Sequence, residues 1–191
     1  MHRWGGEGQA ATVAAYGIVT RIMTFVYLPL LGLTAAMQAI TGNNYGASQW
    51  SRSNASLRLA AFAGLVYYGG VQVLLLAARH RLGFVFVDDP STASEVARIL
   101  PVMTTMLFAA GPLMVLSAHF QAIGEAGRAA AISLSRTYLF ALPLTFLLPF
   151  AFGESGIWFA GPTAELLAAL LAAIVLWRSW AATGNRFGVF R

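Results

Sequence analysis

The chain has 191 residues, of which 58% are hydrophobic and 10% charged, and its mean hydropathy is +0.68. A soluble domain carries about 25% charged residues, so a water-facing globule of this size could not hide so much apolar surface. The formal net charge is +5, yet all twelve basic residues are arginines, most of them flanking apolar runs; that is a pattern of membrane topology and excludes a nucleic-acid partner as the expectation.

There is no cysteine, which removes a disulfide frame and any thiolate metal site. The opening MHRWGGEGQAA does not read as a cleaved leader, because the apolar run behind it is too long and has no cleavage-like ending. Five runs then reach the roughly 20 residues that a helix needs to cross a hydrocarbon core. They lie near 12–39, 58–78, 98–120, 129–150 and 156–177. Membrane strands would be about 10 residues long and alternating. Helices remain as the way to satisfy every backbone group in lipid. The expected fold is all-α, a polytopic membrane bundle of five transmembrane helices forming one domain over 1–191.

The first run ends in QAITGNNYGASQWSR, residues 38–52, and part of it echoes 83 residues later as QAIGEAGRAA. Gly42 and Gly124 are expected to take the left-handed conformation that stops a helix. Gln38 and Gln121 stand ready to satisfy loose amides or carbonyls, and Asn43, Asn44 and Tyr45 fill the first loop. Two readings stay open, a pair of interfacial helix stops or a gate. In the connection 79–98, Phe84 to Val87 form an interfacial patch, and Asp89 before Pro90 predicts a helix N-cap. The third run presents Met103, Met106, Ala110 and Met114 near one face, with Phe108 and Phe120 nearby. Flexible thioethers suit a cavity for varied apolar ligands, while core packing or lipid contact explains such a stripe equally well. The short links 121–128 and 153–156 predict antiparallel neighbours. Pro29, Pro112, Pro143 and Pro162 interrupt four of the five runs, and each predicts a kink.

Two charges fall within the first and last runs. Arg21 follows Thr12 by nine positions and Glu165 follows Gly156 by nine, which places each roughly 13 Å into a core about 30 Å thick. An unpaired arginine there costs at least about 2.5 kcal/mol, so Glu165 is its expected partner. Arg136 is the rival, about 6 Å from Glu165 along the membrane normal. Such a pair either staples helices together or re-forms between transport states. Arg52, Arg58, Arg128, Arg178, Arg186 and Arg191 collect on one side, and Arg3, Arg79, Arg81 and Arg98 on the other. The richer side is expected to be cytoplasmic, with the N-terminus outside and the C-terminus inside. His2, His80 and His119 are isolated, and GEAGR lacks the pattern of a phosphate loop. No enzymatic activity, metal or cofactor is expected.

AAYGIVTRIMTFVYLPLLGLTAAMQAITGNNYGA resembles the eighth helix and following loop of MATE (multidrug and toxin extrusion) transporters, closest to the DinF-like branch. HFQAIGEAGRAAAISLSRTYLFALPLTFLLPFAFGESGIWFAGPTAE resembles the tenth to twelfth helices. The ordered set NNYGA, QAIG, LSR, Pro143, GIW and GPTAE carries the likeness. The resemblance implies part of the second of two six-helix lobes around a central cavity, with the first lobe and seventh helix having no counterpart, as in a fragment. It implies export of amphipathic, cationic compounds in exchange for protons or sodium, by alternating access in a plasma (inner) membrane. The third run lacks the acid that one MATE branch carries there, so the coupling-ion site is expected in the missing N-terminal lobe. The implied partners are the lipid bilayer, the amphipathic substrate and that lobe. Two alternatives stand beside this reading: a lipid- or polysaccharide-precursor flippase of the related superfamily, and a structural or regulatory membrane subunit.

Overall fold

The structure, a computed structural model, describes residues 7–153, 155–184 and 189. His2, Arg3, Arg186 and Arg191, and Glu154 of the last link, lie outside the described residues. The elements are α1 (Glu7–Gly46), α2 (Trp50–Phe86), α3 (Pro90–Thr104), α4 (Leu107–Ala122), α5 (Ala126–Leu134), a π-helical segment (Ser135–Ala141), α6 (Leu142–Phe152) and α7 (Ser155–Thr183). No strand occurs among the described residues. Four helical stretches are each long and apolar enough to cross a membrane, and α3 with α4 makes a fifth if that pair, bent by 46°, is one broken span.

The predicted runs coincide with these helices, apart from a break at 105–106 inside the run 98–120, and the helices overrun the runs. α1 continues through Gly42 to Gly46, so Gly42 does not terminate it. The left-handed residue of that loop is Ser48, with φ 56°, while Gly124 does adopt φ 80°. Gly42 instead packs beside α4, where a Cβ would make an ordinary contact 3.5 Å from the Ala122 carbonyl oxygen. The patch expected in a loop is also helical, since α2 extends through Phe84 and Phe86. Asp89 caps α3 as its sequence predicts, accepting from the Ser91 amide at 3.3 Å and the Thr92 amide at 3.0 Å.

The prolines act differently from expectation. Pro112 lies inside a continuous α4, and the break of this span falls at Thr105–Met106 instead. Pro101 likewise lies inside a helix, α3, four residues ahead of this break. A polar side chain of α2 repairs the gap. The Gln72 side-chain amide donates to the Thr105 carbonyl at 3.1 Å and accepts from the Phe108 N–H at 3.0 Å. Ahead of Pro143 the helix widens into π turns, with the Leu142 N–H reaching back to the Thr137 carbonyl; a wider turn makes room for the proline ring. Pro29 and Pro162 sit within the unbroken α1 and α7.

The core is thin and lies between helices. Ile18, Val19 and Ile22 of α1 pack with Leu75 of α2, Val96, Ile99 and Leu100 of α3 and Trp158 of α7. A second cluster joins Leu30, Leu57, Tyr68 and Val115, and a third joins Phe120, Ala129, Ile132 and Ala172. α2 and α4 cross at Gly64 and Gly111, where a Cβ on Gly111 would stand 2.5 Å from the Gly64 carbonyl oxygen. Small residues at a crossing let backbones approach where lipid gives no hydrophobic drive. Large apolar side chains face outward, among them Phe62, Leu74, Phe146 and Phe150, as a bilayer permits and water does not.

Candidate functional site

The π segment and α7 position the charges. Arg136 lies in the widened turn and Glu165 one helical turn beyond Pro162. Arg136 Nε stands 2.7 Å from Glu165 Oε1. Arg21 is exposed and forms no ion pair among the described residues, so the expectation that it neutralises Glu165 is corrected. Rise along a helix sets depth, but rotation sets direction: Arg21 lies about 200° around α1 from Met23, which with Val26 and Tyr27 borders Glu165's cavity. Glu165 Oε2 is buried and has no hydrogen-bond partner among the described residues.

Two cavities adjoin this pair. The larger, about 450 Å³, is bordered by Tyr27, Thr34, Gln38, Ser117, Gln121 and Arg136. The smaller, about 200 Å³, is bordered by Tyr68, Met103, Met106, Met114, Arg136 and Glu165. Tyr27, Met114 and Arg136 line both, so the guanidinium divides a polar chamber from a thioether-rich one. The methionine face thus borders a cavity together with Ala110. Phe120 is not part of it; it is buried at 1% exposure against Ala129 and Ile132.

The two echoed glutamines meet. Gln38 Nε2 donates to Gln121 Oε1 at 3.0 Å, tying α1, which runs on to Gly46, to the last turn of α4 at the edge of the larger cavity. Asn43, Asn44 and Tyr45, expected in a loop, instead lie in the last turn of α1 and serve the reversal into α2. The Asn44 side chain donates to the Ile40 carbonyl at 2.8 Å, the Asn43 carbonyl accepts from the Ala47 amide at 3.1 Å, and the Tyr45 ring packs edge-on to Trp50 at 4.7 Å between centroids. Tyr45, Trp50, Glu125 and Arg128 border one small recess, so the echoed loops occupy the same end of the bundle. Among the described residues no group of three or more His, Asp or Glu side chains converges as a metal site.

Several residues at these sites escaped the sequence reading. Tyr27, Tyr68 and Thr137 look like ordinary members of apolar helices. Gln72 did carry a signal, a single amide within the run VQVLLLAA, where an unsatisfied polar group is costly.

A bundle of membrane-length helices, one of them broken, with a charge pair between two cavities, defines a polytopic membrane protein. The MatE family model matches residues 4–147, and the chain belongs to that family. A solved structure similar to it is the MATE multidrug transporter DinF-BH in complex with R6G, at 33% identity and a TM-score of 0.79, covering 90% of this chain and 38% of that one. Among curated relatives, the multidrug export protein MepA of Staphylococcus haemolyticus is 26% identical over 165 residues, 86% of this chain and 36% of its own length. The probable multidrug resistance protein YoeA of Bacillus subtilis is 24% identical over 166 residues, with the same two coverages of 86% and 36%. The chain therefore spans little more than a third of the proteins it resembles.

Proposed function

We propose that this chain forms part of the second lobe of a secondary active multidrug exporter. It supplies one wall of a cavity through which amphipathic, cationic compounds leave in exchange for protons or sodium, by alternating access. The observation that carries the reading is the 0.79 TM-score and 33% identity to a MATE multidrug transporter over 90% of the chain. The methionine-bordered chamber beside Glu165 supports it physically, because soft side chains accommodate varied apolar ligands. The coupling-ion site belongs in this reading to a first lobe, and the chain sits in a plasma membrane with its N-terminus outside and its C-terminus in the cytoplasm.

The test is expression in an efflux-deficient bacterium, with the chain supplied alone and together with a first-lobe segment. Loaded ethidium should leave cells that hold both parts, and collapse of the proton and sodium gradients should stop it. Retention equal to the empty-vector control, with both parts present in the membrane, rejects the proposal. Fusing a reporter to either terminus tests the orientation.

A further inference from the structure

We infer that the exposed recess between α2 and α3 binds the phosphate headgroup of an anionic phospholipid, with an acyl chain laid along the apolar surface beside it. The site needs only the membrane-spanning fold and stands whether or not the chain exports drugs. The recess holds about 450 Å³ and is bordered by Arg79 and His80 of α2 and by Ser94, Ala97, Arg98 and Pro101 of α3. It lies where the apolar part of α2 gives out, since VQVLLLAA runs straight into Arg79, His80 and Arg81. Basic side chains at the end of a span reach the level of the lipid headgroups. In the orientation proposed above this is the outer leaflet.

The donors suit a phosphate. Arg79 Nε donates to His80 Nε2 at 3.0 Å, and the two Nη groups of that guanidinium have no partner among the described residues. Such paired N–H groups grip two phosphate oxygens at once. With Nε2 accepting, the remaining donor of the His80 ring is Nδ1–H. The Arg98 side chain is 49% exposed and is held by Glu95, through Nε at 3.1 Å and Nη2 at 2.6 Å. Glu95 is turned to α1, where Thr12 Oγ1 donates to its Oε2 at 3.2 Å. No acidic side chain borders the recess, so an anion there meets two guanidiniums and no carboxylate. Val73 lies roughly two turns from His80 on the same face of α2, toward the middle of the span. Val73 is 65% exposed, and Phe108 nearby is 42% exposed. An acyl chain covers that apolar surface and a free phosphate does not, which favours a lipid over a soluble anion.

Native mass spectrometry of the chain in detergent measures the binding of dioleoylphosphatidylglycerol and of dioleoylphosphatidylcholine, with helicity checked by circular dichroism. The first phosphatidylglycerol should bind about thirtyfold more tightly than phosphatidylcholine, the equivalent of about 1 kcal/mol for each of two arginines at an anionic surface. Arg79→Gln should cut that preference about fivefold, and Arg79→Gln/Arg98→Gln should remove it. Arg79 is exposed and bonds only to His80, so the single variant keeps the fold and decides the matter even where the double variant does not fold. Arg178→Gln, at an exposed position near the end of α7, should leave the preference in place. Inorganic phosphate in large excess should not displace the bound lipid. Displacement by phosphate would assign the recess to a soluble anion and overturn the lipid site. Equal affinities for the two lipids, a preference that Arg79→Gln leaves intact, or one that Arg178→Gln removes equally would overturn it as well.

Discussion

Replacing Gln72 by leucine removes a side chain that closes two backbone gaps at once. In the native chain its amide donates to the Thr105 carbonyl at 3.1 Å and accepts from the Phe108 N–H at 3.0 Å. Leucine fills similar volume and makes neither bond. Interhelical hydrogen bonds in membranes average about 0.6 kcal/mol and reach about 1.7, so the pair contributes roughly 1–3.5 kcal/mol. The middle of that range is expected, because the broken α3–α4 join gives these backbone groups no helical partner while Thr105 and Phe108 are both exposed on the surface of the bundle. A loss of about 2 kcal/mol shifts the folded-to-unfolded ratio about thirtyfold. Reversible unfolding in mixed micelles, followed by tryptophan fluorescence, measures it. Leu74→Ala is the control, as its side chain is 69% exposed and touches little protein. If Gln72→Leu unfolds within about 0.3 kcal/mol of wild type, the scatter of independent sites, the amide is not what holds the break and the argument fails.

Gly111→Ala should destabilise by about 1–3 kcal/mol through overpacking, since the new Cβ would press on the Gly64 carbonyl across the α2–α4 crossing; the same micelle titration reads it. A double-mutant cycle of Gln38→Leu and Gln121→Leu should return a coupling of about 0.5–1.5 kcal/mol for their 3.0 Å bond, and additive losses would mean that the amides do not act as a pair. Arg136→Met should lower membrane abundance several-fold by stranding the buried Glu165 carboxylate, and adding Glu165→Gln should restore it, as quantitative immunoblotting of membranes would show. At the Asp89 cap, hydrogen bonds from the Ser91 and Thr92 hydroxyls and amides hold the carboxyl well below its ordinary value of 3.8. A depressed folded pKa means that the cap's stabilisation is fully present above that ordinary value and is lost as pH falls through the folded one. The melting-temperature advantage of wild type over Asp89→Ala should accordingly be flat from neutral pH down to about 4 and shrink below it.

The helical bundle was legible because length, apolarity and sparse charge determine a membrane span almost without reference to neighbours. The Asp89–Pro90 cap and the Gly124 stop were legible for a similar reason, being local devices of a few adjacent residues. The echoed glutamines were visible as a pattern, but their bond to each other was not, because it depends on how α1 and α4 pack to bring Gln38 level with Gln121. Proline positions predicted that spans would be interrupted and misplaced the interruption. Pro112 sits in a continuous helix, whereas the break falls at Thr105–Met106, next to a side chain in another helix that can bridge it.

The charge pair marks the limit most clearly. Sequence alone determined that these runs must be helices in lipid, that Glu165 lies deep within one of them, and that an arginine should neutralise it. Counting residues gives depth at 1.5 Å per residue, so Arg21 and Arg136 both qualified. Tertiary structure decided between them, because which side of a helix faces its neighbour is set by packing over the whole bundle: Arg136 meets Glu165 at 2.7 Å and Arg21 is turned outward. The same packing creates the two chambers on either side of that guanidinium, a feature of the space between helices that no single helix encodes.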